Sequence, residues 1–207
     1  MVLTVDKVSK AFGLHQVLKD VSLTIDQGEI LALMGPSGSG KTILLRCCCG
    51  LEKPDEGTIL INDQPIPNHR SIGLVFQNYQ LFPHFTVMQN IIEAPLFQKL
   101  MSKEEAVRIA RSYLKKMNLS EKENAYPNTL SGGQKQRIAI LRALILSPSL
   151  LCFDEPTSAL DQESIKELIE IIQELKNNMA ILLVTHDEHF ADLCATRKIT
   201  LPSINRC

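Results

Sequence analysis

The chain has 207 residues, with 22 Lys and Arg against 23 Asp and Glu and a formal net charge of −1. A length of this order suits one α/β domain with a well-buried core, and the balanced charge gives no sign of the basic surface that nucleic-acid binding requires. No apolar run approaches the roughly 20 residues of a membrane-spanning helix, and residues 1–10 lack a basic-then-apolar targeting pattern. A protein kept in the cytosol is expected, any membrane role coming through a partner.

In chain order, Leu3–Val8, Val17–Ile25 and Glu29–Met34 read as strands. Val21, Leu23 and Ile25 alternate with polar residues, as in a half-buried strand, whereas Ile30–Met34 is continuously apolar and suits a strand covered on both faces. A glycine-rich turn follows, then a helix from Lys41 to Cys49. Gly57–Ile61 and Ile72–Phe76 are two further expected strands. Residues 86–118 read as helical, with Ser102 and Glu105 spaced as a capping box. A helix is expected from Ser131 to Leu146, a strand at Leu150–Phe153, a helix at Ser164–Lys176 and a strand at Ala180–Val184. Beyond these, residues 194–207 offer one strand, Lys198–Leu201, and then stop.

Strands alternating with helices imply an α/β fold with a mainly parallel sheet. The early strands imply a smaller antiparallel layer beside it, and residues 86–146 a helical subdomain inserted into a single domain over 1–207. Of the cysteines, Cys47, Cys48 and Cys49 are consecutive. Neighbours on a helix point about 100° apart, so the three cannot converge on one metal. Together with Cys152, Cys194 and Cys207 they read as small core-filling thiols in a reducing compartment.

Gly35, Pro36, Ser37, Gly38, Ser39, Gly40, Lys41 and Thr42 fit G-x-x-x-x-G-K-[ST] between a buried strand and a helix. Glycines let backbone N–H groups close around phosphate oxygens, and the helix N-terminus adds partial positive charge. Lys41 supplies a mobile cation for the β and γ phosphates, and the Thr42 hydroxyl is placed to ligate Mg²⁺. The apolar run Leu150–Phe153 ends in Asp154 and Glu155, at the strand end where ligands bind in open α/β sheets. Because successive strand residues face opposite sides, the two acids are expected to divide the work. Asp154 would hold Mg²⁺ through water and Glu155 would polarise the attacking water. Ser131 is a good N-cap, and Gly132 and Gly133 in the first turn point to close approach by another group, a second anion site. His186 follows the apolar strand Ala180–Val184 at what should be the same sheet edge.

With the phosphate loop, Gln77, Leu130–Gln134, Asp154, Glu155, Ser158–Asp161 and His186 in this order and spacing, the chain resembles an ABC-type nucleotide-binding domain across nearly its full length. The resemblance implies a P-loop NTPase core with an inserted helical signature subdomain, and two such subunits paired head to tail around two ATP molecules. Ser131, Gly132, Gly133 and Gln134 would then serve the ATP of the partner subunit, and Asp161 would face the dimer interface. Gln77 would contact Mg²⁺ and the attacking water, His186 would bond the γ-phosphate, and Phe12 would stack on adenine. Ile43 stands where the family usually has a hydroxyl side chain that contacts phosphate; with the short tail this leads to an expectation of slow hydrolysis in isolation.

The stretch Ile72–Val87 is similar to import ATPases, and within them to those serving polar amino acids; Gln77–Thr86 should line a groove for a short permease helix. A transmembrane permease and an external substrate-binding protein are the implied partners, at the cytoplasmic face of the membrane. Relatives of the same kind move lipoproteins, drugs or metal complexes. Soluble ABC ATPases of translation or DNA repair usually carry two such domains or a long coiled coil. A module that binds ATP without turnover would have lost catalytic positions that are present here, and a small-molecule kinase does not account for Leu130–Gln134.

Overall fold

The computed structural model describes residues 1–66 and 71–206. Cys207, read above as a core thiol, lies outside them. β1 (Leu3–Phe12) and β2 (His15–Ile25) form an antiparallel hairpin, and β3 (Ile30–Met34) leads into α1 (Lys41–Cys48). β4 (Glu56–Ile61) and β5 (Gln64–Pro65) join the hairpin in a sheet of order β2-β1-β4-β5. The second sheet is built from β3 with β6 (Ile72–Val75), β7 (Leu150–Asp154), β8 (Ala180–Val184) and β9 (Arg197–Thr200). Its order is β6-β7-β8-β3-β9, and every pairing in it is parallel. Both expected sheets are therefore present.

Every residue of β3, β7 and β8 is buried, as continuous apolar runs require when both faces are covered. The period of two then divides these strands between two cores. Ala32, Phe153, Ile181 and Leu183 face one, made with α4 (Gly132–Leu144) and α5 (Gln162–Leu175). Leu31, Leu33, Leu182 and Val184 face the other, against Leu44 and Leu45 of α1 and the inner face of the antiparallel sheet. Cys47, Cys48, Cys49 and Cys152 fill this second core and Cys194 the first. Burial pushes the Cys47 thiol up to about 11 and that of Cys194 up to about 12, which keeps them as inert apolar groups.

Residues 86–118, expected to be helical throughout, form two helices, α2 (Val87–Phe97) and α3 (Lys103–Lys116). The break contains Lys99 in the left-handed region (φ 54°). Ser102 accepts from the Glu105 N–H at 3.1 Å, so only that half of the expected capping box forms. A complete box caps α2: Thr86 Oγ1 accepts from the Gln89 N–H, and Gln89 Oε1 accepts from the Thr86 N–H. Further on, α6 (Glu188–Cys194) precedes β9, and the tail turns into α7 (Leu201–Ile204) where a simple strand end was expected. Leu201 is fully buried there, and the Asn205 amide bonds the backbone of Val17 and Lys19 on β2.

Between β6 and α2 the loop is held by one buried side chain, Asn90. Its Oδ1 accepts from the Phe82 N–H at 2.8 Å, and its Nδ2 donates to the carbonyls of Phe82, Phe85 and Thr86 at 3.0–3.1 Å. Asn90→Ala removes this bracket and leaves part-buried backbone groups of the loop without it, so it should cost about 1–3 kcal/mol. Urea unfolding should show the loss as a lower midpoint with an unchanged slope.

Candidate functional site

Gly40 opens α1 at φ 98°, a left-handed conformation, and a Cβ there would lie 3.0–3.2 Å from Val17 and Leu18 of β2. Both facts require glycine at the point where the loop meets the helix. Within the loop, Pro36, Ser37 and Gly38 are exposed, while Lys41 is only 6 % exposed. Its Nζ donates to the carbonyls of Gly35 (2.8 Å) and Pro36 (3.0 Å), and so arches back over the loop it follows. Ile43 is half-buried against the second core, with no polar group to offer a phosphate.

The strand register brings the acids to this loop. β3 and β7 both flank β8, with Leu33 and Asp154 each opposite Val184, so their carboxyl ends emerge together. Thr42 Oγ1 donates to Asp154 Oδ1 at 3.0 Å, joining the first turn of α1 to the end of β7. Burial raises the Asp154 pKa; the Thr42 hydrogen bond opposes this and the neighbouring Glu155 charge adds to it.

Glu155 is separated from Asp154 by backbone geometry rather than by strand alternation. β7 ends at Asp154, and Glu155 sits in the left-handed region at φ 46°, its N–H donating to the Val184 carbonyl at 2.8 Å. Its carboxylate pairs with His186: Oε2 lies 2.8 Å from Nδ1 and accepts from the His186 N–H at 3.3 Å. Oε1 is 3.9 Å from Lys41 Nζ. The phosphate loop, both acids and the histidine thus form one cluster. A cavity of about 490 Å³ opens beside it, lined by Gly35, Pro36, His186, Glu188, Lys198 and Thr200.

Ser131 caps α4 in a complete box with Gln134: Ser131 Oγ accepts from the Gln134 N–H at 3.3 Å, and Gln134 Oε1 accepts from the Ser131 N–H at 3.1 Å. The two glycines meet this chain's own atoms. A Cβ on Gly132 would lie 3.0 Å from the Ala159 carbonyl, and one on Gly133 only 2.4 Å from Ser164 Oγ. Part of the demand for glycine is therefore internal packing of α4 against the 158–164 turn. Asp161 caps α5, its Oδ1 accepting from the Ser164 N–H at 2.8 Å, and that bond lowers its pKa. Gln77 is exposed in the turn that follows β6, the neighbour of β7. Phe12 is 47 % exposed at the end of β1 and is not a core residue.

One contributor escaped the sequence reading. Arg142 of α4 donates to the carbonyls of Gln80 (2.6 Å) and Tyr79 (2.8 Å), tying the signature helix to the loop that carries Gln77. Tyr79 and Gln80 both have positive φ, a local conformation with no marker in their residue types. A groove of about 350 Å³ lies alongside, lined by Phe76, Gln80, Phe82, Ala94, Arg142 and Leu146.

A phosphate loop at the carboxyl edge of a parallel sheet, with a Thr–Asp pair and a Glu–His pair beside it, defines an α/β P-loop NTPase. Residues 18–158 match the ABC transporter family. The chain is 50 % identical over 202 residues to the arginine transport ATP-binding protein ArtM of Bacillus subtilis, covering 93 % of this chain and 84 % of that protein. It is 45 % identical over 200 residues to the glutamine transport ATP-binding protein GlnQ of Geobacillus stearothermophilus, covering 92 % and 83 %. The solved dimeric structure of the ATP-binding cassette MJ0796, in a post-hydrolysis state bound to ADP and Pi, superposes with a TM-score of 0.84 at 35 % identity, over 96 % of this chain and 93 % of that one. The chain belongs to the ABC transporter family as an ATP-binding, ATP-hydrolysing subunit.

A buried carboxylate with a raised pKa destabilises the folded state once pH passes its ordinary value, because the folded protein then loses a proton less willingly than the unfolded chain. Asp154→Asn should therefore melt higher than the parent protein at neutral pH without nucleotide. The advantage should shrink as pH falls through the raised value towards the ordinary value of 3.8, below which both states are protonated. Thermal melts between pH 4 and 8 would test the sign.

Proposed function

We propose that this chain is the ATP-hydrolysing motor of an importer of polar amino acids. It acts as one ATP-binding domain over residues 1–207, paired with a second copy and seated on a transmembrane permease at the cytoplasmic face of the cell membrane. An external substrate-binding protein is the further expected partner. The observation that carries this reading is the cluster in which Lys41, Glu155 and His186 are linked beside the phosphate loop and the Thr42–Asp154 pair. The names of ArtM and GlnQ supply the substrate class.

The residues fit their proposed tasks. Loop N–H groups from Gly38 to Thr42 cradle the phosphates, and Lys41 exchanges its carbonyl partners for phosphate oxygens. Thr42 and Asp154 offer hard oxygens suited to Mg²⁺, with Gln77 from the adjacent turn. An Mg²⁺ ion held by these residues would supply positive charge against the phosphates. Glu155 takes the proton of the attacking water as general base. His186 keeps Nδ1 on Glu155 and donates to the γ-phosphate from Nε2–H. Phe12 supplies the adenine contact. Ser131, Gly132, Gly133, Gln134 and Asp161 face the ATP of the second copy, and Ile43 leaves the loop one phosphate contact short.

Among the described residues no helix is long and apolar enough to cross a membrane, so attachment falls to a surface. The groove beside α4 suits that role: Phe82, 52 % exposed, gives it an uncovered apolar wall. Arg142 connects the groove to the signature helix, so a permease segment seated there moves both.

Glu155→Gln should still bind ATP, hydrolyse it at least about 100-fold more slowly, and elute as a dimer only when ATP is present. A variant that stays monomeric with ATP at high protein concentration would sink the paired mechanism. Purification of the tagged chain from its own membranes in mild detergent should bring a multi-span permease with it, and Phe82→Glu should lose the permease while keeping ATP. Recovery with soluble factors alone would remove the transport role and leave the ATPase.

A further inference from the structure

We propose that Lys10 is a positioning residue for the nucleotide base: it holds the Phe12 ring in place from one face so that the other is preset for adenine. The inference rests on the reading of Phe12 as the adenine contact and adds the residue that orients it.

Lys10 is only 9 % exposed, an unusual place for a lysine. Nζ donates to the Lys53 carbonyl at 2.8 Å and pairs with Glu52 at 3.0 Å and Asp55 at 3.1 Å. The same ammonium lies 5.3 Å from the centroid of the Phe12 ring, within cation–π range. Asp55 is anchored in turn: its Oδ2 accepts from the Ala11 N–H at 2.8 Å, and its own N–H donates to the Ser9 carbonyl at 2.9 Å. The residue before Phe12 and one face of its ring are therefore held by a single unit.

An aromatic ring at the exposed tip of a hairpin would otherwise exchange rotamers, and stacking a base on it would have to select one. Here the cation takes one face. A base that stacks on Phe12 meets a ring already oriented.

The test separates the base from the phosphates. ADP and inorganic pyrophosphate are titrated calorimetrically into the full chain and its variants. Phe12→Ala should weaken ADP about tenfold and leave pyrophosphate unchanged. Lys10→Met should weaken ADP about two- to fivefold, again without touching pyrophosphate, and Lys10→Arg should restore most of the loss. Asp55→Asn, which keeps the cation but loosens its anchor, should fall between the parent and Lys10→Met. If Phe12→Ala leaves ADP binding intact, the adenine reading of Phe12 fails and this inference with it. If Phe12→Ala weakens ADP but Lys10→Met does not, only the positioning role of Lys10 is overturned. Equal losses of ADP and pyrophosphate in Lys10→Met would make the lysine a structural support of the domain and also overturn it.

Discussion

The site depends on one contact, the 3.0 Å hydrogen bond from the Thr42 hydroxyl to the carboxylate of Asp154. These residues are 112 positions apart, and the bond is where the phosphate loop and the acidic strand end become a single object. It exists because β3 and β7 run parallel on either side of β8, which delivers both carboxyl ends to the same edge. Asp154 is then trapped in a place that disfavours its charge, 9 % exposed and with its pKa raised by burial. A folded protein that only had to be stable would place an amide or an apolar group there. A carboxylate kept there against its desolvation cost marks a candidate functional position.

A second set of contacts links regions that are distant in sequence and different in task. The first turn of α4 packs closely on residues 159–164: a Cβ on Gly132 would press on the Ala159 carbonyl at 3.0 Å, and one on Gly133 would displace the Ser164 hydroxyl. The last turn of α4 holds the loop after β6 through Arg142. One thirteen-residue helix therefore touches the loop after the acids at one end and the wall of the apolar groove at the other.

The layered α/β plan, the parallel sheet and the antiparallel side layer were legible in the residues, because continuous apolar strands and glycine-rich turns are strong local signatures. The phosphate loop, Asp154, Glu155 and His186 were legible as well, since each sits at the end of an apolar run. Less visible was how the acids divide. Alternation along a strand predicts opposed side chains, but Glu155 leaves the strand through a left-handed turn that its residue type does not announce. The signature glycines were read as room for an incoming anion; their nearest neighbours within this chain are Ala159 and Ser164, contacts visible only in three dimensions. Asn90 and Arg142 were missed for a related reason. Each is a polar residue inside a helix whose partners are backbone groups, and a backbone group carries no sequence signal.

The strand order also constrains when the site can come into being. β3 bears the phosphate loop, yet its two neighbours in the sheet are β8 and β9. Residues 30–34 emerge from the ribosome before either partner and find no strand to pair with in that sheet until residues 180–184 and 197–200 have followed. The chain's most characteristic segment can be framed only after β8 and β9 have been made. Until then a run of five apolar residues waits unpaired, a topology that folds slowly and is exposed to aggregation on the way.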